Sequence, residues 1–216
     1  MQIFYLHGFA SSARSSKAAF FAQKLAARGQ TLHCPDFNEP DFSTLTITRM
    51  TGQVGHALED VGEGPVALIG SSLGGFVAIQ AAKRWPARVD RLVLLAPAVD
   101  LRPERLAELG NRTIEEWRAT GTLNIFHFGY GRVMPLGYGL YTDAEQHDAM
   151  NVPLDLPIQV FQGLRDTAVN PQTVERWSAA RPNVELHMLN DDHQLLGSLE
   201  DIWARTEPFL LQEPGD

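Results

Sequence analysis

The stretch VALIGSSLGGFVAI, residues 66–79, decides the fold of this chain. A run of four apolar residues leads into GSSLG at residues 70–74, and a second apolar run follows. This order predicts a buried strand, a sharp turn and a helix. In a G-x-S-x-G turn the two glycines let chain segments pass closely around a strained central residue, which here is Ser72. The pattern therefore predicts an elbow that presents the Ser72 hydroxyl above the edge of a sheet.

The G-x-S-x-G pentapeptide by itself leaves a plainer alternative open. The turn could be an ordinary glycine-rich connection from strand to helix, in which the serine only caps the helix. The rest of the chain favours the elbow, because an acid and a histidine follow in that order and a loop able to supply amide donors precedes it.

Strand and helix patterns alternate along the chain. Apolar runs predict strands at residues 3–6, 31–34, 66–69, 91–96, 158–161 and 184–189. Three-to-four apolar spacing and breaker residues predict helices at residues 15–28, 45–61, 73–84, 171–180 and 198–211. This alternation predicts an α/β fold whose sheet is mostly parallel, with helices on both faces and the active site at the carboxyl ends of the strands.

Residues 97–156 interrupt the alternation and are far longer than a simple crossover needs. We therefore predict a cap insertion within one α/β domain that covers residues 1–216. The cap holds a dense group of aromatic residues, namely Trp117, Phe126, Phe128, Tyr130, Tyr138 and Tyr141. These side chains either pack the cap onto the sheet or line an acyl pocket beneath a mobile lid.

Three residues have the types and the order needed to activate a serine. A serine hydroxyl becomes a nucleophile when a base takes its proton, and an imidazole is the usual base. His193 follows the last predicted strand and Asp166 the strand before it, so Ser72, Asp166 and His193 match the nucleophile, acid and base order of the α/β-hydrolase fold. Asp191 and Asp192 are rival acids, but neighbours of the histidine rarely face its ring, and a solvated surface role is expected for both.

Acyl transfer also needs donors aimed at the developing oxyanion, each worth on the order of 3 kcal/mol. The backbone amide of Leu73, directly after the predicted nucleophile, is one candidate. The turn HGF at residues 7–9 follows the first strand and offers the amide of Phe9 as the second. An ordinary turn at the end of a strand is the alternative for this segment.

Other histidines carry weaker signals. His56 and His187 fall inside predicted elements, where a packed or surface histidine is the default interpretation. His33, His127 and His147 have no motif around them, and His147 is expected to be a cap residue without an assigned role.

The sequences FYLHGFASS at residues 4–12 and IGSSLGGF at residues 69–76 resemble the small bacterial α/β-hydrolase esterases of the YqiA/YcfP type. The resemblance covers residues 1–85 and returns at Asp166 and His193, whereas the predicted cap has no such likeness. It implies a cofactor-free serine hydrolase acting on small-molecule carboxylic esters or thioesters. It also implies the same triad and the same two oxyanion donors as above.

Composition excludes several other classes. A formal net charge of −8 argues against nucleic-acid binding and leaves no basic face for anionic lipid. The single cysteine, Cys34, cannot form an intramolecular disulfide, and the chain shows neither a secretory leader nor a membrane span, so a cytoplasmic location is expected. No H-E-x-x-H cluster appears, and residues 70–75 lack the lysine of a phosphate loop, so no metal and no cofactor are expected.

Two further functions stay open on sequence grounds. An acyltransferase or a peptidase could use the same triad with another acyl acceptor or donor. A non-catalytic homologue that binds a ligand or partner is also compatible with the fold, although such a protein would be expected to have lost a triad residue. The oligomeric state is left open.

Overall fold

The computed structural model describes residues 1–101 and 112–212. Its strands, in chain order, are β1 Gln2–Leu6, β2 Leu32–His33, β3 Val66–Ser71, β4 Val89–Leu95, β5 Thr122–His127, β6 Arg132–Gly137, β7 Ile158–Gly163 and β8 Val184–Leu189. Six of them form one parallel sheet in the order β2-β1-β3-β4-β7-β8. The parallel α/β sheet expected from the sequence is confirmed.

The helices of the described residues are α1 Ser16–Ala26, α2 Ile47–Asp60, α3 Leu73–Arg84, α4 Ile114–Thr120, α5 Gly139–Ala144, α6 Pro171–Ala179 and α7 Leu199–Leu211, with short 3₁₀ turns at Phe42–Thr44 and Leu196–Ser198. Side-chain caps begin several of them. The Ser15 hydroxyl accepts from the third amide of α1, and the Asn170 side chain accepts from Gln172 N–H before α6. These caps explain why the helices begin within a residue or two of the predicted bounds.

The sheet is buried on both faces, and its central strands carry continuous apolar runs, residues 66–69 of β3 and 92–95 of β4. Side chains alternate between the two faces of a strand. Leu68 of β3 accordingly belongs to the core beneath α2 and α3, whereas its neighbours Ala67 and Ile69 belong to the core beneath α1 and α7. The continuous apolar runs of the sequence are the consequence of this double coverage.

The chain between β4 and β7 contains α4, the antiparallel hairpin of β5 and β6, and α5. The hairpin had no sequence prediction. Trp117 anchors this region: it is buried, its Nε1–H donates to the Leu136 carbonyl at 3.1 Å, and its ring packs edge-on against Tyr138 and Tyr141. Within residues 1–101 and 112–212, no helix is long and apolar enough to cross a membrane.

Candidate active site

Ser72 stands alone between the end of β3 and the start of α3. Its backbone has φ 54° and ψ −116°, a conformation that L-residues rarely adopt and that costs of the order of 1–3 kcal/mol. The hydroxyl makes no capping hydrogen bond to α3. The geometry is therefore that of a strained elbow and not that of a helix cap.

The glycines around Ser72 are required by close backbone contacts. A Cβ on Gly74 would lie 2.0 Å from the Leu6 carbonyl oxygen at the end of β1. A Cβ on Gly70 would lie 2.5 Å from the Gly74 carbonyl oxygen. Since neither backbone atom can move independently, only glycine allows β3 to turn this tightly into α3.

Loops after β7 and β8 bring Asp166 and His193 together. His193 Nδ1 lies 2.8 Å from Asp166 Oδ2, and the Asp166 side chain is completely buried. The same oxygen accepts from Gln162 Nε2 at 2.9 Å, and Asp166 Oδ1 accepts from the amides of Ala168 and Val169, both at 2.8 Å. Four donors thus hold one carboxylate in a fixed orientation.

These contacts decide the charge of the carboxyl group. Burial alone would raise the pKa of Asp166, but the hydrogen bonds from His193 and the Val169 amide outweigh it, and the net pKa lies below its usual value. Asp166 is therefore a carboxylate at neutral pH. It accepts the Nδ1 proton of His193 at 2.8 Å, so Nε2 is the ring nitrogen that does not face the carboxylate.

The two rival acids have other roles. Asp191 is buried, and its carboxylate accepts from the Asp192 amide and the Ser198 hydroxyl, both at 2.8 Å. The expectation of a solvated Asp191 is wrong, because the loop folds back under the turn that precedes α7. Asp192 is exposed and accepts from the Gln194 amide at 2.8 Å. Neither carboxylate is bonded to the His193 ring.

A buried lysine supports the histidine loop, and sequence reasoning missed it. Lys17 on α1 donates from Nζ to the Gln194 carbonyl, next to His193, at 3.0 Å. Burial lowers the pKa of Lys17 to about 8, against the attraction of Asp166 and the neighbouring aspartates. The available signal was helical spacing, since Lys17 lies four residues before the buried Phe21.

A cavity of about 970 Å³ opens at the carboxyl ends of the strands, and Ser72 and His193 both line it. Among the aromatic residues singled out in the cap, Phe128 lines this cavity. Trp117, Tyr138 and Tyr141 instead pack against one another. The packing interpretation therefore accounts for this inner group, and the pocket interpretation applies to the exposed Phe128 at the hairpin tip.

Phe9 and Leu73, whose backbone amides are the predicted oxyanion donors, also line the cavity. Within the part of the chain that the structure describes, neither N–H donates to a protein acceptor. The two loops are adjacent, since a Cβ on Gly8 would lie 3.3 Å from Ser72 Cβ. His7 stiffens the turn, because its buried ring donates from Nδ1 to the Gly8 carbonyl at 3.0 Å and accepts at Nε2 from the Phe37 amide at 3.0 Å.

Metal ligation has no counterpart in the described ranges. Across residues 1–101 and 112–212, no three His, Cys, Asp or Glu side chains gather as a potential metal site.

His147, which the sequence left without a role, links the cap to α2. Its Nε2 lies 3.1 Å from the Thr48 hydroxyl.

A serine elbow after the third strand, with the acid and histidine on loops after the last two strands, is the arrangement of the α/β-hydrolase fold. Solved structures support this class. Mouse α/β hydrolase domain-containing protein 10 matches with a TM-score of 0.77 and 22% identity over 96% of this chain and 88% of that one. Est1E of Butyrivibrio proteoclasticus, in a structure with ferulic acid bound, matches with a TM-score of 0.84 and 17% identity over 97% and 88%. At these identities the likeness establishes the fold.

The chain belongs to the Uncharacterised protein family (UPF0227), whose family model matches residues 2–207. This membership and the structural matches confirm the α/β-hydrolase resemblance drawn from the sequence. Among curated proteins, the mitochondrial palmitoyl-protein thioesterase ABHD10 of Bos taurus is 25% identical over 205 residues, which cover 89% of this chain and 67% of that protein. The chain spans between 59% and 67% of the length of the bovine and mouse forms.

Proposed function

We propose that this protein is a serine hydrolase that cleaves carboxylic esters or thioesters through an acyl-enzyme on Ser72. The observation that carries the proposal is the 2.8 Å contact between His193 Nδ1 and the buried Asp166 carboxylate, beside a cavity that the strained Ser72 elbow also lines. Acyl transfer requires a buried carboxylate that orients an imidazole, and a serine in the same cavity whose hydroxyl is not used to cap a helix.

The first half of the cycle forms the acyl-enzyme. His193 Nε2 takes the hydroxyl proton of Ser72 while Oγ attacks the acyl carbonyl carbon. The carbonyl oxygen becomes an oxyanion and accepts hydrogen bonds from the backbone amides of Phe9 and Leu73. The tetrahedral intermediate then collapses, the bond to the leaving oxygen or sulfur breaks, and the His193 imidazolium returns its proton to the alcohol or thiol.

The second half hydrolyses the acyl-enzyme. His193 deprotonates a water molecule, which attacks the acyl carbonyl, and the same two amides stabilise the second oxyanion. Ser72 leaves with the proton from His193, and the carboxylic acid is released. Asp166 stays ionised throughout, because its function is to hold the Nδ1 proton and to stabilise the imidazolium in both halves.

The relatives support an acyl substrate but do not distinguish an oxygen leaving group from a sulfur one. ABHD10 is named a palmitoyl-protein thioesterase, and the Est1E structure holds ferulic acid. Oxygen and sulfur leaving groups both accept a proton from the same imidazole, so the proposed chemistry includes esters and thioesters. An acyltransferase would differ only in replacing water by another acceptor, and a peptidase in its amide substrate.

The proposal is tested by labelling the wild type and Ser72→Ala with a fluorophosphonate and measuring intact mass. We expect one adduct on the wild type and none on the variant, because only an activated serine reacts with this probe. A panel of p-nitrophenyl butyrate, butyrylthiocholine and an acyl p-nitroanilide then separates ester, thioester and amide cleavage. Absence of an adduct on the folded wild type would overturn the proposal in favour of the non-catalytic alternative.

A further inference from the structure

The turn that carries the Phe9 amide continues to residue 11 and is held by His7 and by two segments distant in the chain. Its backbone is strained, since Ala10 has φ 50°. A non-glycine residue keeps this conformation only when its surroundings impose it. The carbonyl oxygens of the turn accept hydrogen bonds from His7 Nδ1 to Gly8 at 3.0 Å, from Gly129 N–H to Ala10 at 3.1 Å and from Asn38 Nδ2 to Ser11 at 2.9 Å. The cap hairpin and the loop before α2 thus both contribute.

Asn38 is the centre of this support. It is 5% exposed, and its two Nδ2 hydrogens are used by the Ser11 carbonyl at 2.9 Å and by Asp36 Oδ1 at 2.8 Å. Its Oδ1 lies 2.9 Å from His127 Nε2 of the cap hairpin. Since an amide has two donor hydrogens and an acceptor oxygen, these contacts leave one orientation for the side chain.

His127 defines that orientation from the other side. The residue is completely buried, and its Nδ1 accepts from the Tyr130 amide at 3.2 Å. Nε2 must then carry the proton and donate to Asn38 Oδ1. Burial, with a smaller contribution from His7, lowers the pKa of His127, so the ring is neutral at physiological pH.

We propose that Asn38 is a positioning residue for the Phe9 oxyanion donor, and that His127 of the cap hairpin orients Asn38. The inference rests on the proposed function, in which the Phe9 amide stabilises the oxyanion. Asn38 fixes a carbonyl two residues beyond that amide, so its loss lets the N–H rotate away from the oxyanion. On this proposal, the cap hairpin helps to hold the Phe9 oxyanion donor in position.

The effect is expected in turnover and not in substrate binding. Complete loss of an oxyanion donor costs about 10²–10³-fold in kcat, and misplacement costs less. Asn38→Ala should lower kcat about 10- to 100-fold, with KM of p-nitrophenyl butyrate changed less than about threefold. The inhibition constant of butylboronic acid should rise in proportion, because its tetrahedral adduct places an oxygen at the oxyanion position. All rates are expressed per site titrated with a fluorophosphonate, so a partly unfolded sample does not mimic the effect.

Two hairpin variants keep the test valid if Asn38→Ala does not fold. His127→Gln retains an amide donor near the former Nε2 position and should keep kcat within about fivefold, whereas His127→Phe removes the donor and should behave as Asn38→Ala does. Asn124→Ala, on the exposed face of the same hairpin, is the matched control and should leave kcat unchanged.

The inference is overturned if Asn38→Ala and His127→Phe keep the wild-type kcat per titrated site, or if kcat falls without any change in boronate affinity. A wild type that neither labels nor hydrolyses p-nitrophenyl butyrate would instead reject the proposed function, and this inference with it. The two failures are therefore distinguishable.

Discussion

Asp166→Asn is expected to remove nearly all hydrolytic activity while leaving the fold almost intact. The asparagine oxygen can keep the two amide hydrogen bonds from Ala168 and Val169. Its NH₂ group, however, replaces the oxygen that now accepts from His193 at 2.8 Å and from Gln162 at 2.9 Å. The N–H groups of His193 and Gln162 would then both point at this NH₂ group, so each of the two side chains must change its hydrogen bonding.

The two neighbours adapt in different ways. Gln162 can turn its amide over at the loss of its Nε2 bond to the Gly163 carbonyl, because its Oε1 is buried and has no hydrogen-bond partner within the described residues. His193 can adapt only by moving its proton from Nδ1 to Nε2, which blocks the atom that must accept the proton of Ser72. The wrong tautomer is expected to lower kcat by about 10³- to 10⁴-fold. The free energy of unfolding should fall by about 1–3 kcal/mol, since turning the Gln162 amide over also breaks its 3.2 Å hydrogen bond to the Gly163 carbonyl.

The matched variant Asp166→Ala separates catalysis from stability. It orphans the buried donors of Gln162, Ala168 and Val169, each costing about 1–3 kcal/mol, so it should be inactive and clearly destabilised. Steady-state hydrolysis of p-nitrophenyl butyrate and urea unfolding measure the two effects. If Asp166→Asn kept more than about a tenth of the wild-type kcat, the role assigned to the carboxylate would be wrong.

The wild type and Asp166→Asn should also differ in how their stability depends on pH. The pKa of Asp166 is lower in the folded state than its usual value of about 3.9, so the unfolded chain binds the proton first on acidification. The stability that this group contributes is complete above about pH 4 and is lost as the pH falls through the folded pKa. Asp166→Asn lacks this titration. The gap in the free energy of unfolding between wild type and variant should therefore narrow only below about pH 4.

Three other substitutions, with Gly52→Ala as a control, test the residues that shape the site. Gly74→Ala should lose about 2–3 kcal/mol or fail to fold, because its Cβ would lie 2.0 Å from the Leu6 carbonyl oxygen, whereas Gly52→Ala, with open space around it on α2, should be neutral or gain up to about 1 kcal/mol in urea unfolding. Ser72→Gly should be inactive yet about 1 kcal/mol more stable than Ser72→Ala, because glycine relieves the strain at φ 54°; equal melting temperatures would contradict that strain. Lys17→Met should lower kcat, because the Gln194 carbonyl next to His193 loses its donor. It should raise stability at pH 7, because burial disfavours the charged amine in the folded state and lowers the pKa of Lys17 to about 8. Between pH 8 and about 10.4 the unfolded chain binds more protons than the folded chain, so the stability of the wild type should rise relative to Lys17→Met as the pH increases. A constant difference in the free energy of unfolding would contradict the lowered pKa of Lys17.

Local pattern and chain order explain how far the sequence alone could predict this protein. Continuous apolar runs and helical spacing depend on neighbouring residues, so the main strands and helices were predicted within a few residues of their bounds. In a parallel sheet the loops after successive strands meet at one edge. That rule predicted that Asp166 and His193 would lie near the Ser72 elbow, and the structure brings the acid and the histidine within 2.8 Å of each other.

Tertiary contacts decided what the sequence did not reveal. The hairpin of β5 and β6 and the burial of Asp191 have no distinctive local pattern, and helical spacing indicates at most that Lys17 is buried, not that it bonds to the histidine loop. The contact between His127 and Asn38 joins residues 89 positions apart, and neither belongs to a recognisable motif. Buried polar groups find partners wherever the folded chain brings a donor to an acceptor. The sequence by itself thus determined the sheet, the elbow and the candidate triad, because these follow from periodicity and order along the chain. Only the packing of the hairpin against the first loop determined which side chains bond to that loop, because hydrogen bonds between distant segments exist only once the chain has folded.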